Sequence, residues 1–475
     1  MNPAPATLVC TGCGTFAPAG DPYPFRCPNA GRGNDTDHVM TVRLDPRRVQ
    51  FPERDHANPF IRYRELFYSY HFALAHGLTD ADYVALVERL DRAVARLDGG
   101  GFTATPFGRS GPLSRHFQFS DDGGVWVKDE TGNVSGSHKA RHLMGLLIYL
   151  QAAEHLRLAK HRNGIPDLAI ASCGNAALAA AVVARAADRR LRVFVPSKAD
   201  PKIIARLRQL DAQITVCPRQ EGVAGDPAYH ALQQAVRDGA IPFTCQGPDN
   251  GLTIEGGKTL AYEMASALRD ADRYLDRLFI QVGGGALASA TIQGWLDAVR
   301  LGALPMMPRI HTVQTLSCYP LRRAYDLLVR RLLGRLERDM DALPTSPEAD
   351  RERAEFIRTA APPDVVEEAL RYAATHRSEF MWPWEHEPRS IATGILDDET
   401  YDWLAIVRGM VTTGGYPVVV SEHTLAEAND LARTLTGIGV DPTGSAGLAG
   451  LAHLMREGGV RRDERVGVLF TGVQR

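Results

Sequence analysis

The stretch Val125-Trp126-Val127-Lys128-Asp129-Glu130-Thr131-Gly132-Asn133-Val134-Ser135-Gly136-Ser137-His138-Lys139-Ala140-Arg141 governs how every other part of the chain is understood. A short apolar run gives way to a Gly/Ser/Asn loop, and the loop opens a long amphipathic helical pattern. The order is strand, loop, helix, with Lys139 in the first helical turn. An amine held there is oriented and partly desolvated, so it can condense with an aldehyde. A lone lysine is far more often a solvated surface group. Three companion motifs downstream reverse that weighting.

The run at Val125 has seven counterparts. Strands are expected over 125–128, 167–172, 191–195, 213–217, 277–282, 309–314, 417–420 and 466–470, with helices over 138–159, 176–187, 229–238, 255–268 and 424–436. Short β-branched runs alternating with helices imply an α/β fold with a buried parallel sheet covered on both faces. At 475 residues, two or three lobes are expected. Residues 1–50 are Gly/Pro-rich and read as a small appended module ahead of a catalytic region over 51–475. Between 321 and 389 the rhythm breaks into charges and prolines, among them Pro344, Pro347, Pro362 and Pro363. That stretch reads as a helical insertion beside the site or at a subunit contact.

The bulk numbers exclude some classes. A formal net charge of -2 offers no general attraction to nucleic acid or to an anionic membrane. No apolar run is long enough to span a bilayer and no signal-peptide pattern opens the chain, so a cytoplasmic protein is expected. Seven cysteines, an odd and scattered set, argue against a disulfide framework. Cys173, Cys217, Cys245 and Cys318 read as buried reduced thiols.

The companion motifs carry the chemistry. Ser172-Cys173-Gly174-Asn175-Ala176-Ala177 turns a strand into a helix, where free N–H groups suit a carboxylate. Taken alone, Asn175 is a plain N-cap. Gly283-Gly284-Gly285 follows an apolar strand and precedes the helix that begins at Ala286 and Leu287, so its backbone can approach and cradle a phosphate. It lacks the G-x-G-x-x-G spacing and the acidic strand end of a dinucleotide site. Pro442-Thr443-Gly444-Ser445-Ala446 offers two hydroxyls, with an N-cap at Thr443 as the plainer reading.

Lysine, asparagine loop, glycine loop and hydroxyl turn, in that order, resemble the fold type II pyridoxal-phosphate (PLP) enzymes, and within them threonine synthase most closely. The resemblance implies two α/β lobes with parallel-rich sheets closing over PLP. The smaller lobe, about 140–250, would hold Asn175; the other would carry Lys139, the glycine loop and the hydroxyl turn. Lys139 would bind the cofactor and later remove the α-proton, which requires a neutral amine that burial favours. Asn175 would lie beside the ring, with Ser172, Gly174 and Ala176 binding the substrate carboxylate. Gly283, Gly284, Gly285, Ala286 and Leu287 would hold the phosphate. Thr443 or Ser445 would face the pyridine nitrogen; a hydroxyl there suits elimination and replacement better than transamination. Further echoes are Arg62-Tyr63-Arg64-Glu65-Leu66, Thr105-Pro106-Phe107 and Glu255-Gly256-Gly257-Lys258-Thr259.

Two features depart from that family. Ser137-His138-Lys139-Ala140-Arg141-His142 stands where the family reads Ser-Phe-Lys-Asp-Arg-Gly, so two imidazoles change the polarity beside the lysine. Of these, His138 reads as a capping or surface residue. The start of the chain, Cys10-x-x-Cys13 followed by Cys27, resembles the zinc ribbon of many threonine synthases but lacks the fourth cysteine, for which His38 is the nearby substitute. A three-cysteine, one-histidine structural site is sound, and a metal-free ribbon is the alternative. The resemblance points to a threonine synthase-like homodimer acting on an activated homoserine, with a serine/threonine ammonia-lyase or a related β-replacement enzyme as the alternative. A rival from another class is a nucleotide-binding or regulatory module without covalent chemistry.

Overall fold

The computed structural model describes residues 4–18, 20–31, 33–158, 164–219, 225–336 and 347–475. Twelve strands form among them: β1 (Ala6–Cys10), β2 (Met40–Leu44), β3 (Phe107–Ser110), β4 (Gly124–Asp129), β5 (Leu168–Ala171), β6 (Leu191–Pro196), β7 (Gln213–Cys217), β8 (Ile241–Pro242), β9 (Arg277–Gln281), β10 (Arg309–Thr315), β11 (Val418–Val420) and β12 (Arg465–Phe470). They make a six-stranded sheet ordered β11-β10-β9-β12-β4-β3, a four-stranded sheet ordered β7-β6-β5-β8, and the separate pair β1-β2. Within the two larger sheets every pairing is parallel except β3 with β4. This is the α/β, two-lobed, parallel-rich architecture expected of fold type II.

Every one of the eight expected strands forms. Central β12 shows why they were legible: Val466, Val468, Leu469 and Phe470 are all fully buried, as a strand covered on both faces requires. Four strands were not anticipated: β1 and β2, five residues each in the Gly/Pro-rich start of the chain, and two short ones. β8 has two residues, and β3 is a part-exposed edge without alternation.

The helix opened by Lys139 corrects its sequence reading. Lys139–His155 is not amphipathic: Leu143, Met144, Leu146, Leu147, Ile148, Tyr149 and Leu150 are all buried, around its whole circumference. Neighbouring helices on several sides leave it no wet stripe. The expected end at Ala159 lies outside the described residues. This helix crosses Thr253–Asp270 through a glycine contact, where a Cβ on Gly145 would lie 2.6 Å from the Gly256 Cα. Its first turn is held by a buried ion network. Arg141 donates to Glu130 at 2.6 Å and to Glu263 at 2.6 Å, and Lys128 Nζ donates to Glu263 at 2.5 Å. Enclosed charges persist only when paired this completely. Thr105, Thr259 and Glu263 all belong to it, which gives the Thr-Pro-Phe and Glu-Gly-Gly-Lys-Thr echoes a structural role.

The stretch that broke the βα rhythm does form helices, Pro320–Arg335, Pro347–Ala360 and Pro363–Thr375. Its charges and prolines at 338 and 344 lie outside the described residues. The excursion leaves β10 and returns through the helix Trp403–Thr413 to β11, the parallel neighbour of β10. The N-terminal stretch packs on the same side: Thr41 donates to Gln293 at 2.7 Å, and Trp403 Nε1 donates to the buried Asp37 at 3.2 Å. No described helix is long and apolar enough to cross a membrane.

Candidate active site

Parallel strands gather their C-terminal ends on one edge, and the chemistry-bearing loops leave from that edge. Lys139 is reached from β4 through a loop whose Ser135 adopts a left-handed φ of 55°. Ser137 is pinned by a bridge to Gly472, just beyond β12. The glycine loop follows β9 and the asparagine loop follows β5. One side chain ties two of these parts together: Gln281, last in β9, donates to Gly444 O at 2.8 Å and to Thr471 Oγ1 at 2.6 Å.

Around Lys139 the groups are buried and mostly uncharged. Its positive charge is felt by His138, His142, Cys245, Asp397 and Asp402. His138 is 8% exposed, its Nδ1 lies 3.3 Å from Thr471 O, and its side chain makes no capping bond. The capping or surface role is therefore wrong: the ring lies inward, against the lysine. Burial first, and the Lys139 charge second, hold its pKa well below the usual histidine value. His142 is held down to about 3 for the same two reasons and contacts Thr253 O at 2.9 Å. The two rings meet edge to face, 5.8 Å apart. Both imidazoles are neutral at physiological pH.

Asn175 is the first residue of the helix Asn175–Ala186, and Gly174 is the cap, so the plain N-cap reading fails. Its Oδ1 accepts from Arg475, and its amide donates to Asp441. Ser172, Gly174 and Ala176 are half-buried along the same turn, with Ser172 Oγ accepting from Gly174 N at 3.4 Å. Cys173 is half-exposed here and Cys217 likewise on edge strand β7, so neither is the buried thiol expected; Cys245 and Cys318 are buried.

The two candidate hydroxyls separate. Ser445 is fully buried and committed, donating to Asp441 O at 3.1 Å and accepting from Asn429 at 3.0 Å. Thr443 is half-buried and turned toward the loops, accepting from Gly394 N at 3.0 Å. It is not an N-cap, because the helix Ala446–Arg456 starts after Ser445.

At the glycine loop, Gly285 has a φ of +99°, and Ala286 and Leu287 begin the helix Ala286–Arg300. The space over it is filled by a segment the sequence reading missed. A Cβ on Gly283 would strike the Asp397 carboxylate, and one on Gly284 would lie 2.9 Å from the Tyr401 ring. Thr400 Oγ1 donates to Gly283 O at 3.0 Å, and Asp402 N donates to Gly284 O at 3.2 Å. Both bonds end on the backbone of the glycine loop itself, so the segment lies directly on it. No motif in Ile395-Leu396-Asp397-Asp398-Glu399-Thr400-Tyr401 signals this contact.

These groups fit a phosphorylated aldehyde cofactor. The glycine loop already faces a carboxyl oxygen, that of Asp397, whose pKa burial raises while the Lys139 charge and the Gly284 N–H oppose the rise. Beside Lys139, the buried Ser137 Oγ and His138 Nε2 have no hydrogen-bond partner among the described residues. At the N-terminal module, one donor atom from each of Cys10, Cys13, Cys27 and His38 lies within 4.8 Å of all the others. Sulfur and imidazole ligands at such spacing suit a closed tetrahedral zinc site.

Comparison with known proteins agrees with this geometry. The family model for pyridoxal-phosphate dependent enzymes matches residues 100–472. Threonine synthase from Methanocaldococcus jannaschii is 23% identical over 383 residues, covering 80% of this chain and 76% of that protein. L-serine dehydratase from Saccharomyces cerevisiae is 30% identical over 206 residues, covering 42% of this chain and 58% of its own length. Among solved structures, diaminopropionate ammonia lyase from Escherichia coli matches with a TM-score of 0.56 at 16% identity, over 82% of this chain and 89% of that one. That likeness speaks to the fold.

Proposed function

The chain belongs to the pyridoxal-phosphate-dependent enzymes, and on that footing we propose that it eliminates or replaces a substituent on an amino acid, as a threonine synthase-like enzyme acting on an activated homoserine. The observation that carries the reading is that Lys139, Gly283–Gly285 and Thr443 share one edge of the larger sheet, where Gln281 bonds the end of β9 to the Gly444 turn and Asp397, resting on Gly283, feels the Lys139 charge. Similarity to a threonine synthase extends over 80% of the chain, against 42% for the serine dehydratase, which favours the first activity. The higher identity to the dehydratase within its shorter match supports serine/threonine ammonia-lyase as the second reading.

When bound, PLP supplies an electron sink for bonds at the amino acid's α-carbon. Gly283, Gly284, Gly285, Ala286 and Leu287 would hold its phosphate through backbone donors, Asn175 would lie beside its ring, and Thr443 would meet its pyridine nitrogen. Lys139 would hold its aldehyde carbon and, once released, take the α-proton on Nζ. Backbone N–H groups at Ser172, Gly174 and Ala176 would orient the substrate carboxylate at the start of a helix. Burial first and the Lys139 charge second lower the pKa of His138 and His142, which makes both poor proton acceptors and leaves that task to Lys139. Cys10, Cys13, Cys27 and His38 would hold a structural zinc, and the working enzyme would be a cytoplasmic homodimer.

Purified protein should absorb in the visible, and Lys139→Ala should lose that band; a band that persists in the variant refutes the assignment. Supplying phosphohomoserine, serine and threonine in turn, and following inorganic phosphate against 2-oxo acid, separates the two activities. Light scattering tests the dimer.

A further inference from the structure

The segment over the glycine loop is the part of the site that the proposed chemistry leaves unused. It runs from Ala392 to Asp402 and touches the cofactor-facing groups one after another. Gly394 N donates to Thr443, Thr400 donates to Gly283 O, and Tyr401 lies on Gly284. Between these contacts, the Asp397 carboxylate rests on Gly283 and Gly284, and its backbone O accepts from Cys318 Sγ at 3.3 Å. Beyond the segment, Trp403 is anchored by Asp37.

We propose that Asp397 is a built-in competitor of the cofactor phosphate, holding the anion position on the glycine loop until the cofactor displaces residues 392–402. This rests on the reading that Gly283–Leu287 hold that phosphate. A phosphate monoester carries between one and two negative charges near neutrality. It cannot share the same N–H donors with a carboxylate, because like charges at contact distance exclude one another. Loading therefore requires the segment to lift. Thr400 and Asp402 bond it to the loop, and Ala392, Ile395 and Thr400 are buried; the helix that follows is buried in turn at Trp403, Leu404, Ile406 and Val407. The lift thus hinges near Asp402. The Lys139 charge favours ionised Asp397 and opposes the burial that raises its pKa, so an empty lysine and a seated carboxylate support each other. Once Lys139 is joined to the cofactor and the phosphate is in place, that support is gone.

The test uses holoenzyme stripped of cofactor and reloaded with PLP, with binding followed by visible absorbance. Wild type, Asp397→Asn, Asp397→Ala and Asp398→Asn are compared, and inorganic phosphate serves as a second probe through the Tm rise it produces. Removing the competitor should tighten PLP binding about tenfold, the order expected for loss of one charge-assisted hydrogen bond. Inorganic phosphate should also raise Tm more in both Asp397 variants than in wild type. Asp398→Asn should match wild type. Unchanged or weaker PLP binding in the Asp397 variants overturns the proposal, as does equal tightening in Asp398→Asn, which would point to general charge. Failure of wild type and every variant to take up PLP overturns the functional reading and this one with it. Uptake that ignores Asp397 overturns this one alone.

Discussion

At the scale of single residues, Asp402 carries a pH consequence that urea unfolding can read. Burial, reinforced by the nearby Asp37, pushes its carboxyl up to about 8. An acid whose folded pKa is raised binds more protons folded than unfolded, so its stabilising effect is lost as pH rises from the unfolded value near 4 toward 8. Buried His142 acts in the opposite sense: held down to about 3, it weakens the fold as pH drops below about 6.5. Above that pH the acid acts without the histidine's opposition. Stability to urea should therefore fall by on the order of 2 kcal/mol between about pH 6.5 and 8 through Asp402. Asp402→Asn should flatten this decline; an unchanged slope in the variant would show that the carboxyl is ionised throughout.

At the scale of elements, the Lys139 helix is positioned by the closeness of its crossing with Thr253–Asp270. Gly145 and Gly256 let the two backbones meet, and Arg141 locks the first turn to Glu130 and Glu263. Gly145→Val should force the helices apart, costing about 1–3 kcal/mol, read from the denaturant midpoint. It should also weaken PLP uptake, because the displaced turn carries the lysine. A stable variant with unaltered uptake would separate the crossing from the site. The same burial explains what could be read in advance. Strands sandwiched between helices are written as continuous apolar runs, so all eight were legible, and glycine turns after them marked three of the loops proposed for the site. An inner helix has no polar face to give it away, and its amphipathic reading failed. Asp397 and Asp402 were invisible because only the folded return of a distant segment brings them to Gly283 and Gly284.

For the molecule as a whole, the N-terminal module and the excursion after β10 meet around one point. Asp37, adjacent to His38, accepts from Trp403, and Asp35 accepts from Ser378 N at 2.9 Å. Cys10→Ser should lose zinc by metal analysis, lower Tm, and quench or shift the Trp403 fluorescence; retained metal would exclude the four-ligand site. The excursion itself has a further meaning. Parallel partners such as β10 and β11 need a single crossover, and the helix Trp403–Thr413 supplies one. The stretch between Thr315 and Ala392, ahead of the segment on the glycine loop, is therefore surplus to closing the sheet. A lineage can lengthen, trim or exchange such an appendix without re-threading a strand, which makes it the place where relatives built on one catalytic frame are free to diverge.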